Sequence, residues 1–205
     1  WNCAYNPRFL HGMLASIYCY KAMSAVAEEK DWQNAIDHAD KAMTGRTFVR
    51  DQATYDAIFD APALQAFTND EFYLRMVDGF NGQIVDVSGV YYQTYSTSQA
   101  NPGPEPEFYN LYKDDDVRKN TFFRTKTDGS LIYDKYNLSD SPYASWGLAN
   151  GGIIMLFRTA ETQLIKAEAL CRLGKTTEAK EALNKFKQGR YLDIEGSYTE
   201  SDLLN

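Results

Sequence analysis

The stretch Phe157-Arg158-Thr159-Ala160-Glu161-Thr162-Gln163-Leu164-Ile165-Lys166-Ala167-Glu168-Ala169-Leu170-Cys171-Arg172-Leu173-Gly174-Lys175 decides the fold. Leu156, Ala160, Leu164, Ala167, Leu170 and Cys171 recur at the spacing that places side chains on one helical face. Leu173-Gly174-Lys175-Thr176-Thr177 reads as a turn. Ala179, Ala182, Leu183 and Phe186 then restart the period. A short turn between two amphipathic helices makes them antiparallel, an αα-hairpin. Small residues such as Gly174 and Ala179 allow close helix approach.

The beginning of the chain has the same grammar. Leu10, Met13, Leu14 and Ile17 mark one helical face, and the run continues through Tyr18 and Ala22 to about Ala27. Glu28-Glu29-Lys30-Asp31 reads as a polar turn. Trp32, Ala35, Ile36, Ala39, Ala42 and Met43 form a second stripe, and Gly45 is a suitable stop. Both hairpins fit a degenerate tetratricopeptide pattern. The expected fold is mainly α, with tetratricopeptide-like hairpins and a loop-rich insertion carrying short β-strands. A plain tetratricopeptide α-α superhelix is the alternative. The segments are 1–45 for the first hairpin, 46–153 for the insertion, and 154–205 for the second hairpin and the start of a further helix, all in one domain.

Within the insertion, short helices are expected around residues 51–59 and 69–76. Asn101-Pro102-Gly103-Pro104-Glu105-Pro106 is a loop, because proline removes backbone donors and restricts its predecessor. Residues 121–126 and 131–136 flank Thr127-Asp128-Gly129-Ser130, a hairpin signal. Thr199-Glu200-Ser201-Asp202 has capping-box spacing before Leu203 and Leu204. With the opening Trp1-Asn2-Cys3, which has no initiator Met or signal-peptide pattern, this leads to the expectation of an internal piece of a longer protein.

Several chemistries lack a signature. The 205 residues carry a net charge of −7, so the chain offers no general attraction to nucleic-acid phosphates. Mean hydropathy is −0.49, and no apolar run reaches the roughly 18 residues of a membrane helix. Cys3, Cys19 and Cys171 form no C-x-x-C and read as buried free thiols, with one non-local disulfide left open for an exported protein. His11 and His38 stand far apart without a catalytic motif. Asp114-Asp115-Asp116 lacks calcium-loop spacing and reads as a solvated acidic turn. Asn137-Leu138-Ser139 matches a glycosylation sequon. No catalytic residue, metal ligand or cofactor is assigned.

Phe157–Lys175 resembles the R-x-A-E-x-x-L-I-x-A-E-A-x-x-R-L-G stretch of the SusD/RagB family, and Glu178-Ala179 with Ala182-Leu183-Asn184-Lys185 continues into its A-x-x-x-L-N helix. Tyr112, Asp116 and Arg118 are similar to the family's Y-x-x-x-D-x-R segment, and Asp31-Trp32 with Ala35 resembles the helix pair before its variable insertion. The lipobox and the E-R-x-x-E-L stretch of the family are not seen. The resemblance implies a non-enzymatic lipoprotein of the Bacteroidetes outer membrane. Such a protein captures glycans at the cell surface and partners a SusC-like TonB-dependent transporter. The lipid anchor would be its membrane contact, and no cofactor is implied.

Tyrosine fits such a role. The chain has 15 Tyr, 11 Phe and 3 Trp. Tyr91, Tyr92, Tyr95, Tyr109, Tyr112, Tyr133, Tyr136 and Tyr143 fall in residues 91–146. Flat rings stack on the C–H faces of sugars, and amides bond hydroxyls. The expected carbohydrate-binding residues are Tyr91, Tyr92, Tyr95, Tyr143 and Trp146, with Asn101 and Asn150 as polar companions. Tyr112, Phe122, Phe123, Tyr133 and Tyr136 read as packing residues. Arg158 and Glu161 are expected to pair on one helix face, and Glu168 to cap or pair with a neighbouring helix. A protein-interaction scaffold without sugar ligand remains the alternative function, and a glycoside-active enzyme a third with no motif context.

Overall fold

The described residues of this computed structural model are 6–48, 51–60, 71–77, 104–125, 127–133 and 153–192. Helix α1 spans Pro7–Ala22. Asn6 caps it, its side-chain oxygen accepting the Arg8 N–H at 2.9 Å, and Pro7 occupies a first-turn position that needs no donor. The helix stops short of residue 27. The Ser24 hydroxyl donates to the Lys21 carbonyl at 2.7 Å, and the Ser24 N–H takes the same carbonyl, so the last turn tightens.

Helix α2, Asp31–Met43, returns antiparallel to α1. Asp31 is more than a turn residue, because its side chain is fully buried. One carboxylate oxygen accepts the Glu28 N–H at 2.7 Å and the other accepts the Lys21 ammonium at 3.1 Å. Burial pushes the Asp31 carboxyl up, but the Glu28 N–H and the Lys21 ammonium more than offset it and hold the group below its usual value. A depressed folded value stabilises the native state fully above the unfolded value of about 3.9 and is lost as pH falls through the folded one. Asp31→Asn is therefore expected to be less stable than wild type at neutral pH, with the gap closing below about pH 4. Urea titrations at several pH values check this, and a gap that stays constant with pH would refute it.

The second hairpin is α6, Thr159–Arg172, and α7, Thr176–Gln188. Gly174, at φ +72°, and Gly45, at φ +69°, end α6 and α2 in the left-handed conformation that side chains disfavour. Packing runs from α1 to α2, from α2 to α6 and from α6 to α7. Small residues line this seam: Ala35, Ala167, Ala169, Ala179 and Ala182 are buried with Cys19, Ile36 and Leu170, flanked by Trp32 and Leu183. Alanine at these places brings backbones close, and the larger chains fill the spaces between them. Cys19 is a buried free thiol and Cys171 is half-buried, whereas Cys3 lies outside the described residues.

Two strands depart from expectation. Residues Phe72–Val77 form strand β1, not a helix around 69–76, and Ile153–Arg158 form β4, which pairs with β1. Leu156 thus belongs to a strand, and α6 begins only at Thr159. Ile153-Ile154-Met155-Leu156-Phe157 is a continuous apolar run, and such a run fits a paired strand as well as a buried helix. Strand pairing across a long separation made the choice. Arg158, the last strand residue, points its guanidinium toward Glu71 at 3.8 Å rather than pairing with Glu161. Glu168 pairs within its own helix, with Arg172 at 3.3 Å.

The chain divides into two compact units. The first comprises Trp1–Val49, Asp70–Arg75 and Met155–Asn205, and holds the helical hairpins. The second comprises Arg50–Asn69 and Met76–Ile154. In the second, α3 (Gln52–Asp60) packs on α5 (Val117–Phe122), burying Tyr55, Ile58 and Val117. Gln52 donates to Asp56, to the Val117 carbonyl and to Thr121 over 2.7–3.1 Å, tying the two helices together. Strands β2 (Phe123–Thr125) and β3 (Leu131–Tyr133) form the expected antiparallel hairpin, with Phe123 opposite Tyr133. Gly129 takes φ +84° in its turn, and Asp128 accepts the Ser130 N–H at 2.9 Å. Thr121 and Phe122, expected in the strand, close α5 instead. The mainly helical, tetratricopeptide-like class with few short strands is the class the sequence predicts.

Candidate functional site

The aromatic cluster of the second unit is the best-formed candidate among the described residues. A short helix α4, Pro106–Tyr109, follows the proline-rich loop and delivers Phe108 and Tyr109. The turn after it delivers Tyr112, and the β2–β3 hairpin delivers Phe123 and Tyr133. Phe123 is the buried hub. Tyr112, Tyr109 and Tyr133 surround it with ring centroids 5.2, 5.3 and 5.4 Å away, and Phe108 lies at 6.1 Å. Tyr109 and Tyr112 meet it edge to face, at 89° and 68°, which suits the ring quadrupole.

Charged groups fix this arrangement. Asp116 caps α5 by accepting the Arg118 N–H at 2.9 Å. Its carboxylate also holds the Arg118 guanidinium through both oxygens, at 2.9 and 2.6 Å for the shortest bond to each. Asp116 is buried, so the acidic run is not a uniformly solvated turn. The capping geometry makes the difference, because it draws one of the three carboxylates inward and pairs it. Asp114 remains fully exposed and pairs with Lys119 at 2.7 Å. Arg118 lies 5.4 Å over the Tyr112 ring, and Lys119 lies 4.7 Å over the Tyr109 ring. Burial pushes the Tyr112 phenol up, with Arg118 opposing, so this ring stays protonated at neutral pH.

One side of the cluster is open. Phe108 is 41% exposed and Leu111 75% exposed. An apolar ring beside ammonium, carboxylate and phenol groups can stack on a ligand face and bond its rim. No group of three or more His, Cys, Asp or Glu side chains suited to a metal is present among the described residues.

The first unit has a second concavity, a groove of about 440 Å³ bordered by Cys19, Tyr20, Met23, Leu164 and Glu168. Tyr20 is 68% exposed there. Burial pushes the Cys19 thiol up, and Glu168 adds to the effect. Among the described residues no helix is long and apolar enough to cross a membrane.

The residues expected to bind carbohydrate, Tyr91, Tyr92, Tyr95, Tyr143, Trp146, Asn101 and Asn150, lie outside the described residues, as does Tyr136. Tyr112, Phe122, Phe123 and Tyr133 do pack against other rings, Phe122 from the end of α5 and Phe123 and Tyr133 from the hairpin. Phe108 and Leu111 were not singled out from the sequence. Their position just after a proline-rich loop was the available signal.

The model of the SusD family matches residues 29–190. SusD-like protein P38 of Formosa agariphila is 46% identical over 52 residues, which is 25% of this chain and 10% of that protein. A solved SusD-like carbohydrate binding protein from Bacteroides vulgatus is 21% identical with a TM-score of 0.65, over 100% of this chain and 41% of the other. Surface glycan-binding protein A from Bacteroides uniformis is 18% identical with a TM-score of 0.63, over 95% of this chain and 44% of the other. The chain thus spans less than half the length of these relatives. The match begins beside the buried Asp31 and ends at the buried Arg190, taking in the second hairpin and the aromatic unit, and the chain belongs to the SusD family.

Proposed function

We propose that this chain forms part of a non-catalytic cell-surface protein that captures polysaccharides or oligosaccharides for a TonB-dependent outer-membrane transporter. The family match carries this reading. Relatives of the same fold are surface glycan-binding proteins, and the aromatic unit supplies rings of the kind sugars stack on. The intact protein would sit on the outer membrane through a lipid anchor and partner a SusC-like transporter. Tyr91, Tyr92, Tyr95, Tyr143 and Trp146, with Asn101 and Asn150, are the proposed glycan contacts. Phe108 is added to them by its exposure.

Calorimetry against a panel of polysaccharides and oligosaccharides tests the reading. Binding to at least one glycan is expected, without release of reducing ends. Trp146→Ala and Phe108→Ala should each weaken that binding by about 1–3 kcal/mol if the ring anchors a sugar. A folded protein that binds nothing in the panel would overturn the proposal. The groove beside Tyr20 and Met23 favours a second reading, a scaffold that binds a protein partner along its helices. Under that reading Tyr20→Ala, and not Phe108→Ala, would abolish the interaction.

A further inference from the structure

The two histidines of the chain lie 27 positions apart, yet they meet. His11 comes from α1 and His38 from α2, and their Nδ1 atoms are 2.9 Å apart. The ring centroids stand 5.1 Å apart, so the imidazoles face each other end to end through those two atoms. Such a contact needs one Nδ1–H to donate to the lone pair of the other Nδ1. Tyr18, also on α1, stacks on His38 with centroids 5.5 Å apart and planes 8° apart, which restricts rotation of that ring. Both imidazoles are half-buried, so protons reach them from solvent.

We infer that His11 and His38 form a proton-operated clasp between α1 and α2, which survives the first proton the pair takes up and opens on the second. In the neutral pair the donor ring carries its proton on Nδ1 and leaves its Nε2 free, while the acceptor ring carries its proton on Nε2. The first added proton binds the free Nε2 of the donor ring. The N–H···N bond persists and is now charge-assisted. The acceptor ring has only its Nδ1 lone pair left, so the second proton must displace the bond. Two N–H groups and two positive charges would then face each other at 2.9 Å, and the rings must part.

The surrounding charges do little to offset this. Lys41 and Asp37 flank His38 on α2, and Arg8 of α1 reaches toward Gly45 beyond the end of α2. From α6, Lys166 is engaged by Asp40, and Glu168 pairs with Arg172 near Cys19. Burial holds His38 below its usual value, with His11 and Lys41 acting in the same direction and Asp37 opposing. The stabilisation from its neutral form is complete above about pH 6.5 and is lost as pH falls through the lower folded value. At the other end of the hairpin, the Lys21 ammonium and the Glu28 N–H hold Asp31, whose depressed value keeps that end closed down to about pH 4. Acid therefore frees the Pro7 end of α1 first. That end carries Phe9, which packs on Met43 and meets Phe157 of β4 edge to face with centroids 4.9 Å apart. Opening the clasp slackens this contact between α1 and β4.

NMR of the ¹⁵N-labelled full chain, from about pH 7.5 to about pH 4.5, tests the clasp. At neutral pH a scalar coupling should pass between the two Nδ1 nuclei across the hydrogen bond. The pair should titrate in two separate steps, the coupling enduring the first and vanishing in the second. Protection of the Leu10–Leu14 amides against hydrogen exchange should fall about tenfold or more in that second step, while residues 18–22 keep theirs. In His38→Gln, which takes up no proton at this position, the acid-driven loss at Leu10–Leu14 should be absent. No coupling between the two Nδ1 nuclei at neutral pH would overturn the inference, a readout that needs no variant. So would rings that titrate independently, protection at Leu10–Leu14 that is unchanged across the second step, or the same acid-driven loss in a folded His38→Gln variant.

Discussion

Arg190→Leu is expected to lower the stability of the chain by about 3–5 kcal/mol, the range for breaking a buried ion pair from one side. Arg190 and Glu71 are essentially inaccessible to solvent, and they are joined by two parallel bonds of 2.8 and 2.7 Å. The same guanidinium donates to the Gly189 carbonyl at 3.0 Å and lies against the Phe48 and Phe186 rings, 4.9 and 5.1 Å from their centroids. Removing it takes the two short bonds of 2.8 and 2.7 Å from the buried Glu71 carboxylate, with Arg158 at 3.8 Å. Such a loss takes a large share of the ~5–15 kcal/mol that holds a domain together. Arg190→Lys should recover little, because a compact ammonium cannot form the fork or spread over the two rings. The double variant Glu71→Leu/Arg190→Leu should recover more, since neither charge is then stranded. Urea unfolding followed by circular dichroism measures all three. A loss under about 1 kcal/mol for Arg190→Leu would show that the pair is structurally idle.

The second large effect is expected one residue earlier. Gly189→Ala should cost about 1–3 kcal/mol by overpacking. A β-carbon at 189 would overlap Phe48 Cβ and approach Phe48 Cγ to 2.8 Å and Cα to 3.2 Å. These atoms are the root of a side chain and its backbone, so no rotation relieves the clash. Phe48 is also held edge-on by Phe186, with centroids 5.7 Å apart. Either the end of α7 or the segment around Phe48 must move, and the stack over Arg190 loosens with it. The same denaturation assay reads the cost. Unchanged stability would mean that the chain end after α7 adjusts freely.

These sites show what one-dimensional reading misses. Residues 69–76 had no feature to separate a short helix from a strand, and β4 lies about 80 positions away. Arg158 had a plausible partner three residues on, Glu161, but found Glu71 instead. Its position at the junction of β4 and α6 turns it away from the helix face. His11 and His38 carried no motif because their meeting depends on the register between α1 and α2, which a stripe of apolar residues sets only approximately. The alternating helical stripes, the Asp128-Gly129 turn and the family-like A-E-A-x-x-R-L-G run needed no such information. The Asp116–Arg118 pair is a mixed case. Its two residues stood in the motif, while the burial that makes it an anchor came from the surrounding rings.

The sequence by itself determined the two helical hairpins, their small-residue faces, the β-turn and the family, because periodicity, turn chemistry and local motifs act over a few residues. Tertiary structure alone decided that β1 pairs with β4 and that Glu71 receives Arg190. It also decided that Phe108 stays open while Phe123 is buried, and that two distant imidazoles touch. Each of these depends on where separate elements come to rest, and that position follows from the balance of burial and pairing over the whole unit rather than from any single stretch.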